Sequence, residues 1–205
     1  MKLSLFPKEN KSLEMLADMA ALFRDGVTTL SECLGAPAGQ YEQLAEDLHR
    51  RDARISELHF AMLSHVRTSF ITPLPREDLC QISRCLVEGF ERLDCAAELM
   101  ALNKVKRLSG RASEQLEVIG RMSDLTASAM GRLSSLSDLD EYCMDMLQLA
   151  RRAERTHRKW ISEDLRNLKP ATYVTHRDVA DELIHATREL RRISTYVAQI
   201  LVKES

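Results

Sequence analysis

Apolar residues return every three or four positions along almost the whole chain, and nowhere do they alternate with a period of two for long enough to make a strand. A helix buries one stripe in this way, so the pattern predicts an all-α protein. Breakers divide it into six long helices. The first spans about Ser12 to Leu34 and is stopped by Gly35-Ala36-Pro37-Ala38-Gly39, the densest breaker cluster in the chain. The second runs from about Gln40 to Phe70. Pro73 and Pro75 forbid its continuation, because each lacks an N–H and its ring crowds the carbonyl one turn back. Pro75 can open the third helix, since first-turn N–H groups lack partners anyway, and Glu77 and Asp78 complement the positive end of its dipole. That helix extends to about Leu108, before the turn at Ser109-Gly110. A fourth spans about Arg111 to Leu136, and a fifth, capped by Ser137-Asp138, ends near Leu168. The sixth opens at Thr175 or His176, after the break at Lys169-Pro170, and continues to about Lys203.

Long helices with short connections pack as antiparallel neighbours in a bundle. With Asp78 placed over Asp178, Leu79 falls on Val179, Leu86 on Ala186, Phe90 on Leu190, Leu93 on Ile193, Ala97 on Val197 and Met100 on Ile200. Ile82 over Glu182 breaks the series, and Leu183 can take that inward place. The shared order of a helix, a long second helix, a proline-containing corner and a long third helix predicts two pseudo-repeated three-helix bundles. They cover about 10–108 and about 110–203 of a single domain, 1–205. The first helix carries Leu13, Leu16, Met19, Ala20, Phe23, Val27 and Leu30, with Met15 and Leu34 beside them, a stripe broad enough to serve both the core and a second copy in a homodimer.

Composition narrows the class. At 205 residues, 44% apolar and 29% charged, the chain can bury a substantial core. The start around Lys2 lacks a signal-peptide pattern, and no stretch approaches the ~18 apolar residues of a membrane span, so a cytoplasmic protein is expected. Five cysteines without a CxxC pair fit buried thiols in a reducing compartment. A net charge of −2 and a lone Trp160 give nucleic acid nothing to bind. The local exception is basic: Arg151, Arg152, Arg155, Arg158 and Lys159, with Arg188, Arg191 and Arg192 on the sixth helix. Guanidinium forks in such a face suit phosphate or acidic headgroups. There is no phosphate-cradling glycine loop and no nucleophile constellation. Three Glu-x-x-His spacings, Glu46/His49, Glu154/His157 and Glu182/His185, keep a di-iron bundle enzyme open as an alternative. Two of them sit in arginine-dense segments that are costly to bury beside a metal, which favours solvated faces.

The corner Phe70-Ile71-Thr72-Pro73 followed by Arg76-Glu77-Asp78, with the start Ser4-Leu5-Phe6-Pro7-Lys8, resembles the PhoU-like accessory proteins of Pit-type inorganic phosphate transporters. The resemblance implies a PhoU-like fold and a regulatory protein that modulates a Pit-type phosphate permease by binding it, with no chemistry of its own. It also implies carboxylate metal sites on the second and third helices of each half. Counting from the corner, these fall on Asp52 and Ser56, and on Glu88 and Glu91. One acid is lost, leaving Asp52, Glu88 and Glu91 as an incomplete, weak divalent-metal site in the first repeat. In the second repeat Arg188 and Arg191 stand at the corresponding places, where no cation is expected. The basic face Arg151, Arg152, Arg155 and Arg158 then becomes a candidate for peripheral contact with the inner membrane around the permease. A generic helical interaction module is the remaining alternative.

Overall fold

The three-to-four periodicity becomes six helices in a computed structural model that describes residues 11–35, 40–105 and 107–204. They are α1 (Lys11–Gly35), α2 (Tyr41–Thr68), α3 (Arg76–Leu102), α4 (Gly110–Arg132), α5 (Leu139–Asn167) and α6 (Pro170–Glu204). No strand occurs among the described residues. The Ser4–Lys8 start and the breakers at 36–39 lie outside them.

The width of each buried stripe decides where a helix sits. α2 buries Tyr41, Leu48, Ile55 and Met62, one residue per heptad, with Val66 at its end. So narrow a seam can cover only one side of the molecule, and α2 flanks α1 and α3. α5 buries a similarly narrow line, from Leu139 through Tyr142, Met146, Ala150 and Ala153 to Trp160, and flanks α4 and α6. The broader faces of α3 and α6 pack antiparallel along each other, with Asp78 against Lys203 near one end and Arg92 against Glu182 further along. α1 meets α4 beside them. The result is two three-helix units, α1–α3 and α4–α6, joined through α1, α3, α4 and α6. All six apolar pairs of the alignment at an offset of 100, from Leu79/Val179 to Met100/Ile200, are buried, and Leu183 occupies the inward place that Glu182 vacates.

Three boundaries and one cap differ from the sequence reading. α3 ends at Leu102, not Leu108, because Lys104 turns left-handed (φ 47°). Val105 N–H then reaches Met100 O at 3.0 Å and Lys104 N–H reaches Ala101 O at 3.1 Å, a Schellman stop sealed by the burial of Val105 and Met100. α4 stops at Arg132 rather than Leu136, whose φ is 56°. Asp138 precedes α5 in a left-handed conformation, without the side-chain cap expected of it. α6 begins at Pro170, not Thr175, so this proline opens a helix as the 73–75 corner does, from the first turn where its missing N–H is harmless.

The corner is held by local bonds. Thr72 Oγ1 donates to Leu74 O at 2.8 Å, and the Arg76 guanidinium donates to the carbonyls of Ser69 and Phe70 at the end of α2. Phe70 and Ile71 project outward from it, 95% and 62% exposed. The α1 stripe packs into the chain's own core. Leu13, Leu16, Met19, Ala20, Phe23, Val27 and Leu30 are all buried within the chain, and Met15 and Leu34 pack against the same core.

Candidate functional site

In the first half, Asp52 lies on the α2 face turned toward α3. Its Oδ1 is buried without a hydrogen-bond partner. Burial first, then the carboxylates of Asp94 and Glu91, raise its pKa to about 6, while His49 opposes the shift. His49 Nδ1 lies 3.1 Å from Asp94 Oδ2, and that hydrogen bond is the main reason the imidazole is pushed above its usual range. Asp52 and Glu91 therefore share one negative field. Glu88 does not join it: Arg84 Nε donates to its carboxylate at 2.6 Å, and Arg192 of α6 stands at 3.5 Å on the other side. The donor set does not fit a resident ion, since among the described residues no three His, Cys, Asp or Glu side chains gather closely enough to hold one. The field opens instead into a groove of about 540 Å³ between α2 and α3, whose lining includes Glu42, Glu46, His49, Asp94 and Glu98. Asp94 and His49 were missed as partners of Asp52. The signal was present in the three-residue steps His49 to Asp52 and Glu91 to Asp94, each of which keeps both side chains on one helix face.

The second half presents arginine where the first presents acid. Arg151, Arg155 and Arg158 are exposed on α5, and Arg188 and Arg191 on α6. Carboxylates hold part of this face. Glu154 accepts from Arg188 Nε at 3.1 Å and lies 3.9 Å from Arg158, and Arg152 reaches Glu117 of α4 at 3.0 Å. Arg151, Arg155 and Arg191 have no ion-pair partner among the described residues. The three Glu-x-x-His pairs do not converge. Glu154 is taken by arginines, Glu182 by Arg92 at 3.3 Å, His157 by Asp181 at 2.8 Å and His49 by Asp94.

A third arrangement was not anticipated. Trp160 Nε1 donates to Asp164 Oδ2 at 2.8 Å, and His176 Nδ1 meets the same oxygen at 2.9 Å. All three side chains are buried, at 0%, 7% and 5% exposure. Trp160 and Asp164 are four apart on α5, and His176 follows on the second turn of α6. Opening that helix at Pro170 rather than Thr175 is what places the histidine inside a helix, facing back.

No family model matches the sequence, and no curated protein is similar to it. The fold does find likenesses. A PhoU-like protein from Shewanella oneidensis MR-1 superposes with a TM-score of 0.77 at 10% identity, over 94% of this chain and 99% of that one. PhoU from Pseudomonas aeruginosa gives 0.68 at 14% identity, over 96% and 98%. The class is therefore set by shape: this chain has the PhoU-like fold. At such identities the likeness is one of architecture, and the sites remain to be argued from this chain's own residues.

Proposed function

We propose that the protein is a regulator of phosphate homeostasis that acts by binding, and that its partner is a Pit-type phosphate permease met from the cytoplasmic side. The observation that carries this reading is the fold match to the PhoU-like protein over 94% of the chain. The Phe70-Ile71-Thr72-Pro73 corner, similar to that of accessory proteins of such permeases, narrows the partner. No helix among the described residues is long and apolar enough to cross a membrane, so contact with the bilayer is peripheral in this reading.

The basic face of α5 is the surface assigned to that contact. Arg151 and Arg155 form no ion pair with a described residue, and each basic residue near an anionic leaflet contributes about 1 kcal/mol. Replacing Arg151, Arg152, Arg155 and Arg158 by Glu breaks only exposed ion pairs, worth about 0–1 kcal/mol each, so the helical content should persist. Deleting the gene is expected to change phosphate uptake, and the permease is expected to co-purify with the wild-type protein and not with the fourfold variant. Unchanged uptake, with no permease recovered from gently solubilised cells, would overturn the reading.

A further inference from the structure

We infer that a second site, at the opposite end of the molecule from the Phe70 corner, binds a tetrahedral oxyanion: inorganic phosphate or the phosphoryl group of a small metabolite. It is a cavity of about 400 Å³ where the connection between the two halves meets the start of α6. Small-molecule sites run from about 300 Å³ upward, so this is room for a small ligand. Its polar lining is Asn103, Lys104, Arg107, Thr172, Thr175 and His176, and no carboxylate among the described residues lines it.

Each component is of the kind an oxyanion needs. Lys104 and Arg107 are exposed cations that form no ion pair with a described residue. A guanidinium fork and an ammonium beside it match a phosphate's several acceptor oxygens better than the two of a carboxylate. Thr172 and Thr175 add hydroxyl groups. Ala171 and Thr172 stand in the first turn of α6, whose backbone N–H groups lack helical acceptors and carry the positive end of a 35-residue helix. The independent element is His176. It is 95% removed from solvent, yet it lines the cavity. Its Nδ1 meets Asp164 Oδ2, the oxygen that already accepts from the Trp160 indole. Nε2 is left as the ring nitrogen with no partner among the described residues. A phosphate, which carries both acceptor oxygens and a hydroxyl, supplies that partner whichever tautomer the ring adopts.

The backbone at Lys104 supports the same reading. A lysine at φ 47° sits where glycine is the unstrained choice, and where the Schellman stop would form at least as well without a side chain. The strained residue is one that brings a cation to the cavity. This inference stands on the geometry of the 103–107 turn and α6, and does not depend on the permease reading.

The test uses the full chain and its single tryptophan. Trp160 is tied through Asp164 to His176, so its fluorescence reports on the cavity. Inorganic phosphate, titrated at constant ionic strength, is expected to give a saturable change that chloride does not reproduce. Lys104→Gly should raise thermal stability by relieving the left-handed strain while weakening phosphate binding about tenfold, and Arg107→Ala should weaken it by a similar factor. The stabilised Lys104→Gly protein excludes misfolding as the cause. A nucleoside monophosphate is titrated in parallel. Tighter binding than phosphate assigns the site to the phosphoryl group of a larger ligand, and its exclusion assigns it to the free ion. Absence of saturable binding by both, or a Lys104→Gly/Arg107→Ala double variant that binds like the wild type, overturns the inference.

Discussion

Asp52 keeps a proton at a pH where an exposed aspartate has lost it. Burial and the carboxylates of Asp94 and Glu91 move its pKa from 3.8 to about 6. Between those values the native state is protonated and the unfolded chain is not, so this residue's contribution to stability falls as pH rises through the window and levels off above about pH 6. Asp52→Asn removes the titration. The stability of the variant relative to wild type, from urea unfolding, should grow across that window and stay constant above it. A pH-independent difference would mean that Asp52 is solvated like any surface carboxylate. Gln115 raises a related question without charge: it is 0% exposed, and neither amide atom has a partner. Gln115→Met keeps the length and removes the desolvation penalty of two orphaned groups, with an expected gain of about 1–2 kcal/mol, read as a shifted urea midpoint at unchanged slope. Asp52 was legible because it can be counted back from the proline corner. Its partners were not, since Asp94 faces it only once the rotation of α2 against α3 is known. Gln115 was invisible for the same reason, a polar residue at an inward position of α4 that periodicity cannot tell from an outward one.

Between elements, the closest fit is reciprocal. Phe23 of α1 and Phe90 of α3 meet edge to face at 6.0 Å, and each ring lies over a glycine of the other helix. A Cβ at Gly89 would stand 2.9 Å from Phe23 Cε2 and 3.1 Å from Glu189 Cβ, and one at Gly26 would run into the Phe90 ring. Both rings are fully buried and have nowhere to move. Gly26→Ala should therefore destabilise by about 1–3 kcal/mol despite the better helix propensity of alanine. Gly120→Ala is the control. Its nearest neighbour is Val27 Cγ1 at 3.9 Å, so it should gain roughly 0.5–1 kcal/mol, and thermal unfolding of the pair will separate the two effects. Helix existence was legible throughout because the apolar period is long and unbroken. Helix ends were legible only where the breaker has one meaning. Pro170 ends a helix or starts one with equal chemistry, and Lys104 stops α3 through a left-handed turn that its residue type does not announce.

At the scale of the whole molecule, the two halves share one hydrophobic core. Residues from Leu13 of α1 to Ile200 of α6 belong to a single buried cluster, and the α1 stripe, read from sequence as wide enough for a second copy, is wide because it meets α2, α3 and α4. Periodicity measures how much of a helix is covered and cannot say by which chain. Charged pairs also cross the seam between α3 and α6: Lys203 Nζ with the buried Asp78 at 2.7 Å, Arg92 with Glu182, and Arg192 with Glu88. The exposed members add little, but Lys203→Ala would strand a carboxylate that is 3% exposed, which is costly in a way the surface pairs are not. Neither three-helix unit can close its core alone, because separation would expose the inner faces of all four central helices. The halves should therefore unfold together. Trp160 lies in the second half and reports chiefly its own surroundings there, whereas far-UV circular dichroism reports all six helices. In urea the two signals should trace one coincident transition, and Lys203→Ala should move both to lower urea by the same amount. If the fluorescence transition separates from the dichroism, the repeats are independent folding units, and the single-domain organisation argued from the shared core is wrong.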